Sequence, residues 1–349
     1  MPNLSTPPTA VEIQYQQQAL AGVSRTFALT IPLLPAQLEH AVGNAYLLCR
    51  IADTIEDDSQ LSTDAKSAFS QQLIELVNGA NGCEHFATAL IGQLSAQTPA
   101  TERDLIAHTG LILQVTRKLN AAQVKAIQVC VSKMATEMPD FQRCQNDAGL
   151  ADMATLNSYC YAVAGVVGEM LTDFFCAHST QIAQQREQLS KLAFSFGQGL
   201  QLTNILKDIR ADKARGICWL PQDIFSEYGF DLARLDQNKD SPALAAGMNR
   251  LIGITHYHLN SALQYALAIP RNETEIRQFL IFPIILALLT LRKLHANASD
   301  LSHQQIKISR RSVKLSGLFI KVAAGHNSAV TGLIKVLSRG LPTETPRPY

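Results

Sequence analysis

Two short acidic stretches hold the residues best suited to chemistry in this 349-residue chain. The first reads Arg50-Ile-Ala-Asp53-Thr-Ile-Glu56-Asp57-Asp58. At about 100° per helical residue, Tyr46, Arg50, Asp53 and Asp57 fall within a sector of about 60°, so one face carries a phenol, a guanidinium and two carboxylates. Carboxylates one turn apart repel, and such a face is costly to bury unless something pairs with it. The second stretch reads Gln201-Leu-Thr-Asn204-Ile-Leu-Lys207-Asp208-Ile-Arg-Ala-Asp212, with Asn204, Asp208 and Asp212 at successive i, i+4 positions. Two such stripes facing each other would form an all-oxygen cage. That suits Mg²⁺, a hard cation that keeps several waters and shares the rest of its shell with substrate phosphates. Diphosphate is the natural counter-ligand, stabilised by the ions as it departs. Alone, either stripe reads as a solvated face or a salt-bridge lattice. The pair, each in an apolar helix and each with its own cation (Arg50, Lys207), favours a metal–diphosphate site.

Between the stripes lies Tyr159-Cys-Tyr161-Ala-Val-Ala-Gly165-Val-Val-Gly168-Glu169-Met170. Glycine inside a helix costs roughly 1 kcal/mol relative to alanine, so this pair implies close approach by a neighbouring helix or a bulky ligand. An apolar groove for a hydrocarbon chain and tight helix packing both fit. Other chemistries lack their signatures: there is no G-x-S-x-G, Walker A or H-E-x-x-H motif, and Gly197-Gln-Gly199 has no third glycine. His40, His178 and His256 read as surface or core residues.

The elements that must position these groups are helices. Apolar spacings of three and four run over 36–57, 65–78, 101–117, 121–138, 152–177, 181–212, 243–268 and 273–296, and strand signals are scarce. Pro35 suits a first helical turn and Pro139 is expected to close a helix. With 47% hydrophobic residues the chain can build a large core, and a formal charge of +1 gives no global field for nucleic acid. No nucleic-acid partner is expected, and no obligatory protein partner is evident. The seven cysteines (Cys49, Cys83, Cys130, Cys144, Cys160, Cys176, Cys218) form no C-x-x-C and read as reduced core thiols. No secretory leader is expected. The longest uncharged apolar run, 279–291, falls short of the roughly 18 residues needed to span a bilayer. Residues 306–349 hold eight basic side chains against Glu344, a local +7 that could touch an anionic surface or a phosphorylated ligand.

These residues resemble the squalene/phytoene synthase family, and within it the squalene-forming branch of bacterial type. The resemblance spans about residues 24–315. It is carried by Ser24-Arg25-Thr26-Phe27, the stretch 46–58 with D-T-I-E-D-D, YCYAVAGVVG at 159–168, QLTNILKDIRAD at 201–212, and Arg215-Gly216 followed by Trp219-Leu220-Pro221. It implies an all-α isoprenoid-synthase bundle around a central apolar cavity. A short extension (1–20) would precede a catalytic body (21–300), and a basic segment (301–349) would pack on or cap that body. It also implies head-to-head joining of two farnesyl diphosphates to presqualene diphosphate, then NADPH-dependent rearrangement to squalene. A non-reducing relative would stop at presqualene diphosphate or make dehydrosqualene or phytoene; a non-catalytic helical interaction protein would have lost the stripes.

By that resemblance Asp53, Asp57, Asn204, Asp208 and Asp212, with Glu56, would hold Mg²⁺ and diphosphate. Ser24, Arg25, Tyr46, Arg50, Lys207, Gln201 and Arg215 would contact or steer substrate, and Tyr159 would assist the proton loss that closes the cyclopropane. Phe27, Val163, Val166, Val167, Gly168, Leu200 and Phe282 would line the cavity. Stretch 279–291 and the basic stretch with Lys307, Arg310 and Arg311 resemble the segments expected to serve NADPH, whose 2′-phosphate needs such a cluster; a membrane-facing or solvated loop fits them too. One departure is Ile217, where many relatives carry arginine. The expected location is cytoplasmic, with peripheral contact on the inner face of the membrane through 318–337.

Overall fold

The computed structural model describes residues 8–24, 26–144, 146–235, 241–299 and 306–346. Arg25, Arg347, the first seven residues of the N-terminal extension, the boundary at 300–305 and the Cys144 side chain lie outside this description. The helices gather into two compact units, Met1–Arg143 with Glu169–Arg186, and Cys144–Gly168 with Glu187–Tyr349.

In the first unit the long helix α3 (Ala36–Asp57) packs against α1 (Ala10–Val23), α4 (Thr63–Val77), α6 (Ala100–Ala107) and α7 (Thr109–Lys118), while α2 (Phe27–Thr30) lies by α1 and α5 (Cys83–Gln93) by α4, α6 and α7. Leu38, Ala41, Ala45, Leu48 and Ile51 recur at helical spacing on α3 and are essentially buried, which leaves the opposite face for Tyr46, Arg50 and Asp53. A capping box between Thr9 and Glu12 starts α1, and Lys118 donates to Glu12 at 2.6 Å, tying α1 to the end of α7. Helix α8 (Ala121–Cys144) runs through Pro139 rather than ending there. Proline forfeits one rung of the hydrogen-bond ladder. The buried stripe Ile127, Cys130, Val131, Met134 and Met138 keeps the helix packed despite that loss.

The stretch expected as one helix over 101–117 divides at His108 into α6 and α7. There the Thr109 hydroxyl donates to Ile106 O at 2.7 Å, drawing a carbonyl out of the regular ladder. The stretch 152–177 forms α9 (Met153–Cys160), a single π turn (Tyr161–Gly165) and α10 (Val166–His178). Likewise, 181–212 resolves into α11 (Thr180–Ala183) and α12 (Arg186–Lys213).

The second unit is built on α14 (Pro242–Ala268) and α15 (Thr274–Ala296), with α13 (Gln222–Ser226) against α14, and α16 (Arg310–Ala323) and α17 (Asn327–Ser338) against α15. Residues beyond 306 therefore fold as two helices within this unit. Glycine lets α12 approach its neighbours at backbone distance: a β-carbon on Gly197 would run into the Ala164 carbonyl, and one on Gly168 into that of Ala193. At Gly168 the neighbour is thus a helix backbone, the packing alternative of the two that the sequence left open. Among the described residues no strand forms, and one isolated bridge joins Leu150 to Pro221.

Two helical stretches, Met153–His178 and Thr274–Ala296, are long and apolar enough by length and composition to cross a bilayer, with 61% and 72% of their apolar windows buried in the protein. Most of each window is buried, as in a core helix, so these helices do not overturn the expectation drawn from the uncharged run. Single charges such as Glu169, Asp173 and Arg277 interrupt a run but scarcely change mean hydropathy.

Gly197→Ala should destabilise the protein by about 1–3 kcal/mol through backbone overpacking. Gly332→Ala on α17, where an added β-carbon meets nothing within 4 Å, should be neutral or stabilising. Urea unfolding of both variants checks this; equal midpoints would contradict the packing argument.

Candidate functional site

On α3, Arg50 forms an ion pair with Glu102 of α6 and lies 3.8 Å from Asp53 Oδ2. Thr54 completes the arrangement, donating to Glu102 Oε2 at 3.1 Å. Burial works against the Arg50 charge, yet Asp53, Glu102 and Tyr46 together push its pKa up, so the guanidinium stays charged. Phe27 and Tyr46 stack obliquely with ring centres 5.3 Å apart, and Ser24 hydrogen-bonds the Tyr46 hydroxyl and accepts the Phe27 N–H at 3.0 Å. Burial pushes the Tyr46 phenol up. Ser24, Phe27, Tyr46, Arg50 and Asp53 thus form one connected patch in the first unit.

The acidic groups on this face are crowded. Burial pushes the Asp53 carboxyl up to about 7; Arg50 opposes that rise, and Asp57 and Glu102 add to it. Glu56 is buried, its Oε1 without a hydrogen-bond partner, and burial with the charges of Asp57 and Asp53 pushes it well above the usual carboxylate range. Asp57 is exposed. Asp58 plays a different part: its two oxygens accept from the backbone N–H groups of Gln60, Leu61 and Ser95 and from the Thr98 hydroxyl. Although burial works the other way, these bonds hold it below the usual carboxylate range. The last aspartate of D-T-I-E-D-D therefore closes the turn after α3.

In the second unit α12 carries the other stripe. Lys207 lies 3.1 Å from Asp208 Oδ2 and donates to Asn204 Oδ1 at 3.2 Å, and Arg215 pairs with Asp212 at 2.7 Å. Ile217 donates its N–H to Asp212 O at 3.0 Å, closing the turn after α12. Tyr159 is buried with its ring stacked on Trp219, centres 3.7 Å apart and planes 11° from parallel. Val166 is buried, and Val163, Val167, Leu200 and Gln201 are half-buried on α9 to α12. Phe282 is buried in α15, and a β-carbon on Gly317 of α16 would lie 3.7 Å from its ring tip. Burial pushes His258 down to about 4, leaving a neutral ring within 3.2 Å of Ser195 Oγ. Lys307, Arg310 and Arg311 are exposed at the start of α16, which Ser309 caps.

Sequence reasoning missed Glu102, Thr54, Trp219 and the π turn. Nothing in the spacing joins Glu102 to Arg50. Trp219, the single tryptophan and part of a quoted motif, offered a signal that went unused.

The donor chemistry fits Mg²⁺. Every candidate ligand is an oxygen, and Asp53 and Glu56 are like-charged carboxylates whose shifts signal a need for a counter-cation. Among the described residues no three His, Cys, Asp or Glu side chains make a ready cluster. One or two carboxylates completed by substrate phosphates is a usual arrangement for this ion.

The fold is that of the all-α isoprenoid synthases. A ligand complex of TcSQS with E5700 superposes with a TM-score of 0.78 at 23% identity, covering 94% of this chain and 90% of that one. A dehydrosqualene synthase complex gives 0.65 at 20% identity, covering 89% and 95%. The squalene synthase HpnC from Alicyclobacillus acidocaldarius gives 0.61 at 13%, covering 83% and 95%. Residues 20–312 match the sequence pattern of squalene/phytoene synthases, and the chain belongs to that family. It is 29% identical over 294 residues to the squalene synthase of Eremothecium gossypii, covering 82% of this chain and 63% of that protein. It is 28% identical over 293 residues to squalene synthase ERG9 of Candida albicans, covering 82% and 62%. The chain thus spans somewhat under two thirds of these fungal relatives.

Asp53 makes stability depend on pH. Its folded-state pKa lies above that of an unfolded aspartate, so between about pH 4 and 7 the native protein holds a proton that the unfolded chain has lost. In EDTA, stability should therefore fall as pH rises through that window, with Glu56 contributing in the same direction. Asp53→Asn should make the fall shallower, and saturating Mg²⁺ should flatten it in the wild type. Thermal unfolding across the window checks this; an unchanged slope in Asp53→Asn would refute it.

Proposed function

We propose that the protein joins two molecules of farnesyl diphosphate head to head, through presqualene diphosphate, and reduces that intermediate with NADPH to squalene. The observation that carries this reading is the crowding of half-buried Asp53 by Asp57 and Glu102 with Arg50 3.8 Å away, like charge that a divalent cation would relieve. Membership of the squalene/phytoene synthase family supports it, as does resemblance to fungal squalene synthases.

Asp53, Asp57, Asn204, Asp208 and Asp212, with Glu56, would hold Mg²⁺, which neutralises the diphosphate and eases its departure. The chain's own groups do the rest. Glu102 fixes Arg50 in position, and Arg50, Lys207 and Arg215 supply permanent positive charge for diphosphate. Trp219 stacks face to face on Tyr159, whose hydroxyl would relay the proton lost as the cyclopropane closes, handing its own proton to the departed diphosphate as it takes up the new one. Val163, Val166, Val167 and Leu200 keep water from carbocations that it would quench. Lys307, Arg310 and Arg311 would bind the 2′-phosphate of NADPH, and a peripheral membrane contact belongs to the same reading.

Asp53→Asn and Asp208→Asn should each lower the first step by on the order of 10²-fold or more, as expected when a group stabilising the transition state is lost. Glu102→Gln should have a milder effect because Arg50 keeps its charge but loses its anchor. Incubation with farnesyl diphosphate with and without NADPH, followed by mass spectrometry, tests the whole reading. Squalene is expected with NADPH and presqualene diphosphate without it. Presqualene diphosphate, dehydrosqualene or phytoene as the end product in the presence of NADPH would overturn the reductive half, and no product from farnesyl diphosphate would overturn it all.

A further inference from the structure

Helix α16 carries a face that its own unit leaves uncovered. Ser316, Ile320 and Ala323 are buried on its inner side, where it packs on α15 and α17. Leu315, Leu318 and Val322 point the other way, 69%, 70% and 78% exposed, and are the most exposed large apolar side chains among the described residues. At i, i+3 and i+7 they lie within about 60° of one another around the helix. Lys314 and Lys321, both exposed, occupy the adjoining arc, and Arg311 shares the apolar side.

Nothing acidic in this segment offsets those charges. Glu344, the one carboxylate in residues 306–349, accepts from Arg250 Nε at 2.9 Å. Among the described residues neither Lys314 nor Lys321 has a carboxylate partner.

We propose that this face seats α16 in the headgroup layer of a membrane containing anionic lipid. An aliphatic stripe beside lysines is the pattern of a helix lying in the interface: the stripe enters the acyl boundary while the lysine stems extend their ammonium groups to lipid phosphates. Negative lipid headgroups complement the basic arc. A second copy of the chain fits worse. Three aliphatic side chains fall well short of the roughly 800 Å² per partner of a standard interface, and a twofold contact would bring like-charged arcs together. The docking deepens the peripheral membrane contact proposed above and does not depend on the farnesyl diphosphate reaction; Arg311 alone is shared with the residues assigned to NADPH, and the apolar stripe, Lys314 and Lys321 are not.

Flotation with the full-length protein tests it, using vesicles of phosphatidylcholine alone and vesicles containing one third phosphatidylglycerol. The wild type should float with the anionic vesicles, more weakly with neutral ones, and progressively less as salt is raised. Leu315→Ser/Leu318→Ser/Val322→Ser should lose binding about tenfold or more. Lys314→Gln/Lys321→Gln should cut the preference for anionic vesicles on the order of tenfold. All five positions are at the surface, and matching circular dichroism and unfolding midpoints would confirm intact folding. Three outcomes would overturn the proposal: no flotation of the wild type, undiminished flotation of the triple variant, or a wild-type dimer in sedimentation that the triple variant dissolves without any vesicle binding. Turnover of farnesyl diphosphate in solution is read separately, so either idea can fail alone.

Discussion

Like charge held in protein surroundings is the constraint around which the first unit is organised. Asp53 feels the repulsion of Asp57 and Glu102 while the Arg50 guanidinium lies 3.8 Å away. Burial raises the cost of holding these charges together. The unit spends much of its polar bonding on keeping these groups in place. Glu102 and Thr54 hold Arg50, Gln142 donates to Glu56 O at 2.7 Å, and Asp58 fastens the turn that ends α3. A face so prepared is more costly empty than filled, which is how binding energy can be directed at a particular ligand.

The stripe on α12 works on the opposite principle. Lys207 pairs with Asp208 and Arg215 with Asp212; partial exposure keeps the first pair weak, while the second sets a half-exposed guanidinium on a buried carboxylate. The stripe on α3 is thus short of positive charge, whereas that on α12 has cations set against its carboxylates.

Much of this was legible beforehand because it is local. Helical periodicity located α3, α14 and α15 nearly to the residue, and the i, i+4 ladders at 50–57 and 204–212 follow directly once those helices exist. What escaped depends on long-range or cooperative effects. Glu102 reaches Arg50 from another helix. Whether Gly168 faced a ligand or a backbone could not be decided from a glycine alone, and structure puts the Ala193 carbonyl there. Asp58, the last aspartate of the first acidic stretch, has both oxygens taken by backbone N–H groups from residues that its own spacing does not reveal.

The π turn at Tyr161–Gly165 fixes the length of its segment. Such a turn houses one residue more than an α-helix would over the same rise, so Val166 to Gly168 are turned by about a quarter turn relative to a straight continuation of α9. Tyr159 against Trp219 and Gly168 against Ala193 are simultaneously in register only with that extra residue present. Shortening the stretch by one amino acid, even with every contacting side chain retained, would leave either the tyrosine or the glycine facing the wrong neighbour.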